Sequence, residues 1–201
     1  MKRGQIGAKS QEGQLKPVRV VIIGIILVCL LIGFYYYLSH KTEGGGRKEA
    51  ETITQTRQVL MRNLETNYPP SPKEVVKYYC EITQCFYNEP HTDEELEELA
   101  LQIQKLYDDE LVANQTQEEY LQNLISDIAV MKEQELVISS FSTSASTDVE
   151  EFTEDGYEWA RLYCNFSIRQ ATTMLSSNEQ FLLRKDEDGH WKIFGWGLVE
   201  E

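Results

Sequence analysis

Apolar positions along this chain follow three rhythms in turn: one unbroken run, then a helical period, then alternation. The run extends from Val20 to Leu38, nineteen residues almost purely of Val, Ile, Leu and aromatics. No charged side chain lies between Arg19 and His40. As a helix the run reaches roughly 28 Å, close to the hydrocarbon thickness of a bilayer. It is read as a single transmembrane helix over 20–38. Phe34, Tyr35, Tyr36 and Tyr37 cluster at its C-terminal end, with Arg19 before the run and Lys41 after it, and these six are the expected interfacial anchors. The apolar core is too long for a cleaved signal peptide, and no small-x-small cleavage pattern follows it. Val28, ahead of Cys29, is not the small residue of a lipid-attachment site. Gly24 and Gly33 stand nine apart, which leaves no GxxxG dimer face.

After a spacer containing Gly44, Gly45 and Gly46, the period becomes helical. Four helical stretches are predicted. The first runs over about 48–65, with Ile53, Leu60 and Leu64 on one face, and ends at Tyr68-Pro69-Pro70. Ser71-Pro72-Lys73-Glu74 reads as a capping box opening a second stretch with Val75, Val76, Tyr79, Ile82 and Phe86. Asn88-Glu89-Pro90 closes it. Thr92-Asp93-Glu94-Glu95 is a second box, ahead of Leu96, Leu99, Ile103, Leu106 and Tyr107. Thr116-Gln117-Glu118-Glu119 is a third, ahead of Tyr120, Leu124, Ile125 and Ile128.

The pattern then alternates. Leu136 to Phe141 is β-branched and apolar, and Tyr157 to Arg169 places Ala160, Leu162, Cys164, Phe166 and Ile168 on one side of a strand. Stretches 179–185 and 191–199 flank Asp186-Glu187-Asp188-Gly189, a hairpin turn whose glycine is expected at positive φ. The resulting fold class is α+β: an N-terminal transmembrane helix, then about four helices packed on a curved antiparallel sheet of about four strands.

Charge adds orientation. The net charge of −14 conceals an asymmetry: five basic residues and one acid in the first nineteen, but eleven Lys and Arg against twenty-nine Asp and Glu from Thr52 onward. The flanking charges put the N-terminus inside. The expected organisation is a basic cytoplasmic tail (1–19), the span (20–38), a flexible linker (39–47) and an extracytoplasmic domain (48–201). Localisation is then the cell membrane, single-pass, with the lipid bilayer as one partner. The acidic domain repels phosphates, so no nucleic-acid role is expected. Cys80 and Cys85, five apart on a helix, point about 140° apart and make a poor disulfide. Either could meet Cys164, and buried free thiols are the reading adopted for the three.

The segment Phe181-Leu182-Leu183-Arg184-Lys185-Asp186-Glu187-Asp188-Gly189-His190-Trp191-Lys192-Ile193 resembles the final hairpin of the nuclear-transport-factor-2-like superfamily, a cone-shaped α+β fold. The resemblance implies a curved sheet around an interior pocket, in which enzymes of that superfamily keep an Asp, His or Tyr. No catalytic residue is carried over from it. The anchored layout also resembles uncharacterised membrane-anchored proteins of Gram-positive clostridia.

No phosphate loop, nucleophile elbow or HExxH motif occurs. His40, His91 and His190 lack metal-ligand spacing, and the acids of 93–98 complement a helix dipole, so no metal or other cofactor is expected. Trp159, Arg161, Tyr163 and Arg169 share one strand face and are the candidate ligand-binding residues. On a concave face, aromatics and guanidinium groups would hold an anionic or flat ligand. On the outer face they would be surface packing. Gly195-Trp196-Gly197 poses the same question or marks a bulge with a packed indole. The leading expectation is a membrane-tethered, non-catalytic domain that binds a protein or envelope component. The alternative is a ligand-binding or enzymatic cone with a pocket lined by aromatics and arginines.

Overall fold

The structure is a computed structural model that describes residues 54–199. Five helices come first: α1 (Gln55–Leu60), α2 (Pro72–Asn88), α3 (Asp93–Gln104), α4 (Asp109–Val112) and α5 (Gln117–Glu133). A side-chain cap starts each of the five, from Thr54, Ser71, Thr92, Asp108 and Thr116 in turn. Thr92 and Thr116 each accept from the N–H three residues on, and Glu95 and Glu119 reach back to complete both boxes. At Ser71 only half of the box forms. Its hydroxyl accepts from Glu74 N–H at 3.3 Å, while the Glu74 carboxylate lies 4.0 Å from Lys77. The first helix is also shorter than expected. It stops at Leu60, and the Asn63 side chain accepts from Glu65 N–H, a local bond that competes with the helical ladder.

Five strands follow: β1 (Leu136–Thr143), β2 (Glu150–Glu154), β3 (Tyr157–Gln170), β4 (Thr173–Lys185) and β5 (Trp191–Leu198). They form one open antiparallel sheet in the order β1-β3-β4-β5. The long β3 is edged by β1 along its C-terminal half and by β2 along its N-terminal half. Asp155 and Gly156, both at positive φ, turn β2 into β3, and Gly189 at φ 81° serves the β4–β5 turn.

Among the described residues the expected four helices and four strands are thus corrected to five and five, with the sheet open. The short α4 has too few residues to show a period. In β2 four of five residues are polar, because its faces are exposed and only pairing with β3 makes it a strand.

One face of the sheet carries the core. Ala160, Leu162, Phe181, Leu183 and Ile193 are fully buried against Val75, Val76 and Ile82 of α2. Burying side chains of this size stabilises by about 1.5–3 kcal/mol each. Cys80 and Cys164 meet in this layer, Sγ to Sγ at 3.4 Å, and they and Cys85 are buried free thiols.

The expected membrane anchoring is corrected. Among the described residues no helix is long and apolar enough to cross a membrane. The longest two, α2 and α5, have 17 residues and carry polar as well as apolar positions, and α5 buries only Leu124. The span read at 20–38, with Arg19, Phe34, Tyr35, Tyr36, Tyr37 and Lys41, lies outside the described residues, as do the tail and linker. The bilayer as partner and the single-pass localisation rested on that span, and no helix among the described residues supports them.

Candidate functional site

Helical spacing builds two walls of a cleft. On α2, Tyr79, Thr83, Phe86 and Tyr87 recur at positions i, i+4, i+7 and i+8. On α5, Tyr120, Asn123, Leu124 and Asp127 recur at i, i+3, i+4 and i+7. Both stripes line a cavity of about 300 Å³, at the small end of ligand-pocket sizes.

The third wall needs tertiary structure. After α3 the chain runs beside β5: Tyr107 bridges Ile193 in parallel, Ile193 N–H donates to Leu106 O at 2.7 Å, and Asp108 N–H donates to Ile193 O at 2.9 Å. This extra pairing sets the Tyr107 ring in the cleft. Trp196 arrives by a bulge. Leu183 pairs with Ile193 but Leu182 pairs with Gly195, so Phe194 is an extra residue. Ile193 and Trp196, three apart, would face opposite sides of a regular strand. The bulge restores Trp196 to the helix-covered face, opposite Phe181.

Rings then converge. Trp196 lies 5.4 Å from Tyr79 and 5.6 Å from Tyr107, Tyr79 lies 6.3 Å from Tyr107, and Tyr120 meets Tyr107 edge-on at 6.4 Å. Tyr79 and Tyr107 are 7% exposed, whereas Trp196 is 41% exposed at the mouth.

Burial holds the Tyr79 and Tyr107 hydroxyls well above their ordinary range, so they remain neutral donors. Tyr87 is raised chiefly by burial, then by Asp127, Tyr120 and Glu179, so both carboxylates act on its hydroxyl. Glu179 lies on the same sheet face as Phe181, two residues away on β4. Loss of hydration raises both Asp127 and Glu179, with no cation offsetting the shift. Among the described residues the lining contains no Lys, Arg or His. The lining offers aromatic rings, neutral hydroxyl donors and one carboxylate, that of Asp127.

Trp159, Arg161, Tyr163 and Arg169 lie on the opposite face of β3 and do not line this cleft. Trp159 donates its indole N–H to Glu154 O at 3.1 Å and packs edge-on against Phe194 at 5.1 Å. Arg161 pairs with Glu150 at 3.0 Å over the Phe152 ring. Tyr163 accepts from Gln180 at 3.3 Å, and Arg169 sits exposed near the strand end, opposite Met174.

What organises this face is Arg184, which the sequence reading passed over. Its guanidinium lies over Tyr157, Trp159 and Phe194 at 4.9–5.7 Å and is gripped by Asp108 at 2.6 and 2.9 Å.

Asp186, Asp188 and His190 bring ligand atoms within 4.8 Å of one another. The Asp186 carboxylate, however, accepts from the N–H groups of Asp188 and His190, which is how the turn is built. His190 stacks on Tyr68 at 4.3 Å. The helical tyrosines were legible only as stripes; what could have marked them is that Tyr79, Tyr107 and Tyr120 stand where a core would accept Leu.

A family model described as Domain of unknown function (DUF6715) matches residues 8–196. No curated protein matches the chain. The resemblance to the nuclear-transport-factor-2-like superfamily, and the likeness to anchored clostridial proteins, are corrected by that match. The thirteen hairpin residues that carried the first report a turn that many antiparallel pairs need, with glycine at positive φ, and the second leaned on the anchor.

Proposed function

The chain belongs to the DUF6715 family, and from its cleft we propose that the domain binds a small molecule in a pocket walled by aromatic side chains. The observation that carries this reading is the cavity of about 300 Å³ whose walls come from α2, α5, Leu106–Asp108 and β5, with Tyr79, Tyr107 and Trp196 converging. The expectation of a membrane-tethered, non-catalytic binder of proteins gives way to it. Its anchor has no support among the described helices, and the space between helices and sheet is a concave, ring-lined cleft. The pocket differs from the alternative framed on the sequence in one respect: it takes its rings from helices and Trp196, with no arginine among the described lining residues.

The test is titration of the full chain with p-cresol, a neutral ring that fits the volume, read on the three tryptophan indole 1H–15N resonances. The Trp196 resonance, assigned by its loss in Trp196→Phe, is expected to move while those of Trp159 and Trp191 hold still. Val112→Phe, which enlarges an exposed residue at the mouth, should block the response. A Trp196 resonance that stays fixed up to p-cresol saturation overturns the reading.

A further inference from the structure

We propose that Cys80 and Cys164 are a redox pair, which a small disulfide closes into a bridge fastening α2 to β3. The two sulfurs already lie 3.4 Å apart. A disulfide bond is about 2.05 Å long, so an approach of about 1.4 Å separates the thiol pair from the bridge. Two local patterns bring the sulfurs together. Cys164 belongs to the inward set of β3, between Leu162 and Phe166. Cys80 stands one turn on from Val76, along the face of α2 that packs on the sheet. Cys85 lies on another side of that helix, against Thr56, which leaves Cys80 as the thiol in reach of Cys164.

The chemistry balances as two exchanges. One protein thiolate attacks a sulfur of glutathione disulfide, forming a mixed disulfide and releasing one glutathione thiolate, which takes up a proton. The second protein thiolate attacks the protein's own sulfur in that mixed disulfide and releases the other glutathione. Two protein thiols give up two protons and two electrons, and the added disulfide becomes two thiols. Burial, and then the Cys164 thiol beside it, holds the Cys80 thiol well above its ordinary range, and both sulfurs are shut from solvent. The attacking thiolate therefore forms only when α2 lifts from the sheet, so the bridge closes as the domain folds or opens. Once closed, the same burial shelters it from external thiols.

The consequence is mechanical. The two residues stand 84 apart in the chain, and cross-linking a loop of that length lowers the entropy of the unfolded state. The bridge also fixes to an interior strand the helix that supplies Tyr79, Thr83 and Tyr87 to the cleft.

The test is to unfold the full chain in urea, refold it with reduced and oxidised glutathione, trap free thiols by alkylation, and digest after glutamate without reduction. Cleavage at Glu81 separates Cys80 from Cys85. Mass spectrometry is expected to find the Cys80 and Cys164 peptides joined and Cys85 alkylated. The bridged chain should unfold with an equilibrium constant about a hundredfold smaller than the reduced chain, and dithiothreitol added in urea should remove the difference. Cys164→Ala should abolish both effects, and Cys85→Ser neither. Recovery of Cys80 and Cys164 as alkylated thiols overturns the proposal. A bridge to Cys85 or between two chains does the same, as does a Cys80–Cys164 bridge that leaves the urea midpoint unchanged or lower.

Discussion

Asp108 is where the fold and the cleft are joined, and its removal tests both. Its side chain is 6% exposed and accepts three hydrogen bonds: from Arg184 Nη2 at 2.6 Å, from Arg184 Nε at 2.9 Å, and from the Glu110 N–H that opens α4 at 3.0 Å. Truncating one partner of a buried ion pair costs about 3–5 kcal/mol. Arg184 is 15% exposed and keeps Glu110 at 2.8 Å, so about 2 kcal/mol is the appropriate share here. The lost helix cap adds about 1 kcal/mol.

Asp108→Ala is therefore expected to destabilise by about 3 kcal/mol in urea unfolding of the full chain, with the slope of the transition unchanged. Glu110→Ala, which removes a carboxylate that is 64% exposed, should cost less than about 1 kcal/mol. A cycle of Asp108→Ala with Arg184→Met isolates their coupling. Because the Asp108 side chain also ties the residue after Tyr107 to Arg184 of β4, p-cresol affinity should fall in Asp108→Ala. If Asp108→Ala costs no more than Glu110→Ala, the Asp108–Arg184 clamp does not carry the stability assigned to it.

Two further outcomes follow from single residues. Hydration loss raises the Glu179 carboxyl above its ordinary 4.5, so the native state holds its proton more tightly than the unfolded chain, and stability falls as pH rises through the native value. Glu179→Gln should then be more stable than the parent near pH 7, with the advantage fading as pH drops below 4.5. An advantage equal at both ends of that range would refute the burial argument. Gly189 sits at φ 81° with open space where a Cβ would stand, so Gly189→Ala should cost about 1 kcal/mol through backbone strain alone, and an unchanged thermal midpoint would show that the turn relaxes freely.

How much of this was written in the sequence depends on the range of the interaction. Thr92 and Thr116 announce their helices because a cap is satisfied within three residues, and Gly189 announces its turn because φ is a property of one residue. The inward set Ala160, Leu162, Cys164 and Phe166 was legible from alternation, since the pleat fixes which side chains share a face. Ser71 shows the limit even locally: its box needed Glu74, and Glu74 lies towards Lys77 instead.

Strand β2 escaped because its polar residues become a strand only by pairing with β3. Trp196 was visible in its Gly-Trp-Gly setting, but its face was decided by one extra residue, Phe194, in register with β4. The candidates Trp159, Arg161, Tyr163 and Arg169 share a face, as alternation required. Which side of the sheet the helices would cover was decided by the buried stripe of α2 docking on Leu162 and Phe181. The cleft itself joins Tyr79 to Trp196, 117 residues apart, and no periodicity spans that separation. Short-range hydrogen bonding and steric limits wrote the starts and turns into the sequence, whereas the site exists only because distant stripes, each with a face to remove from water, close on the same space.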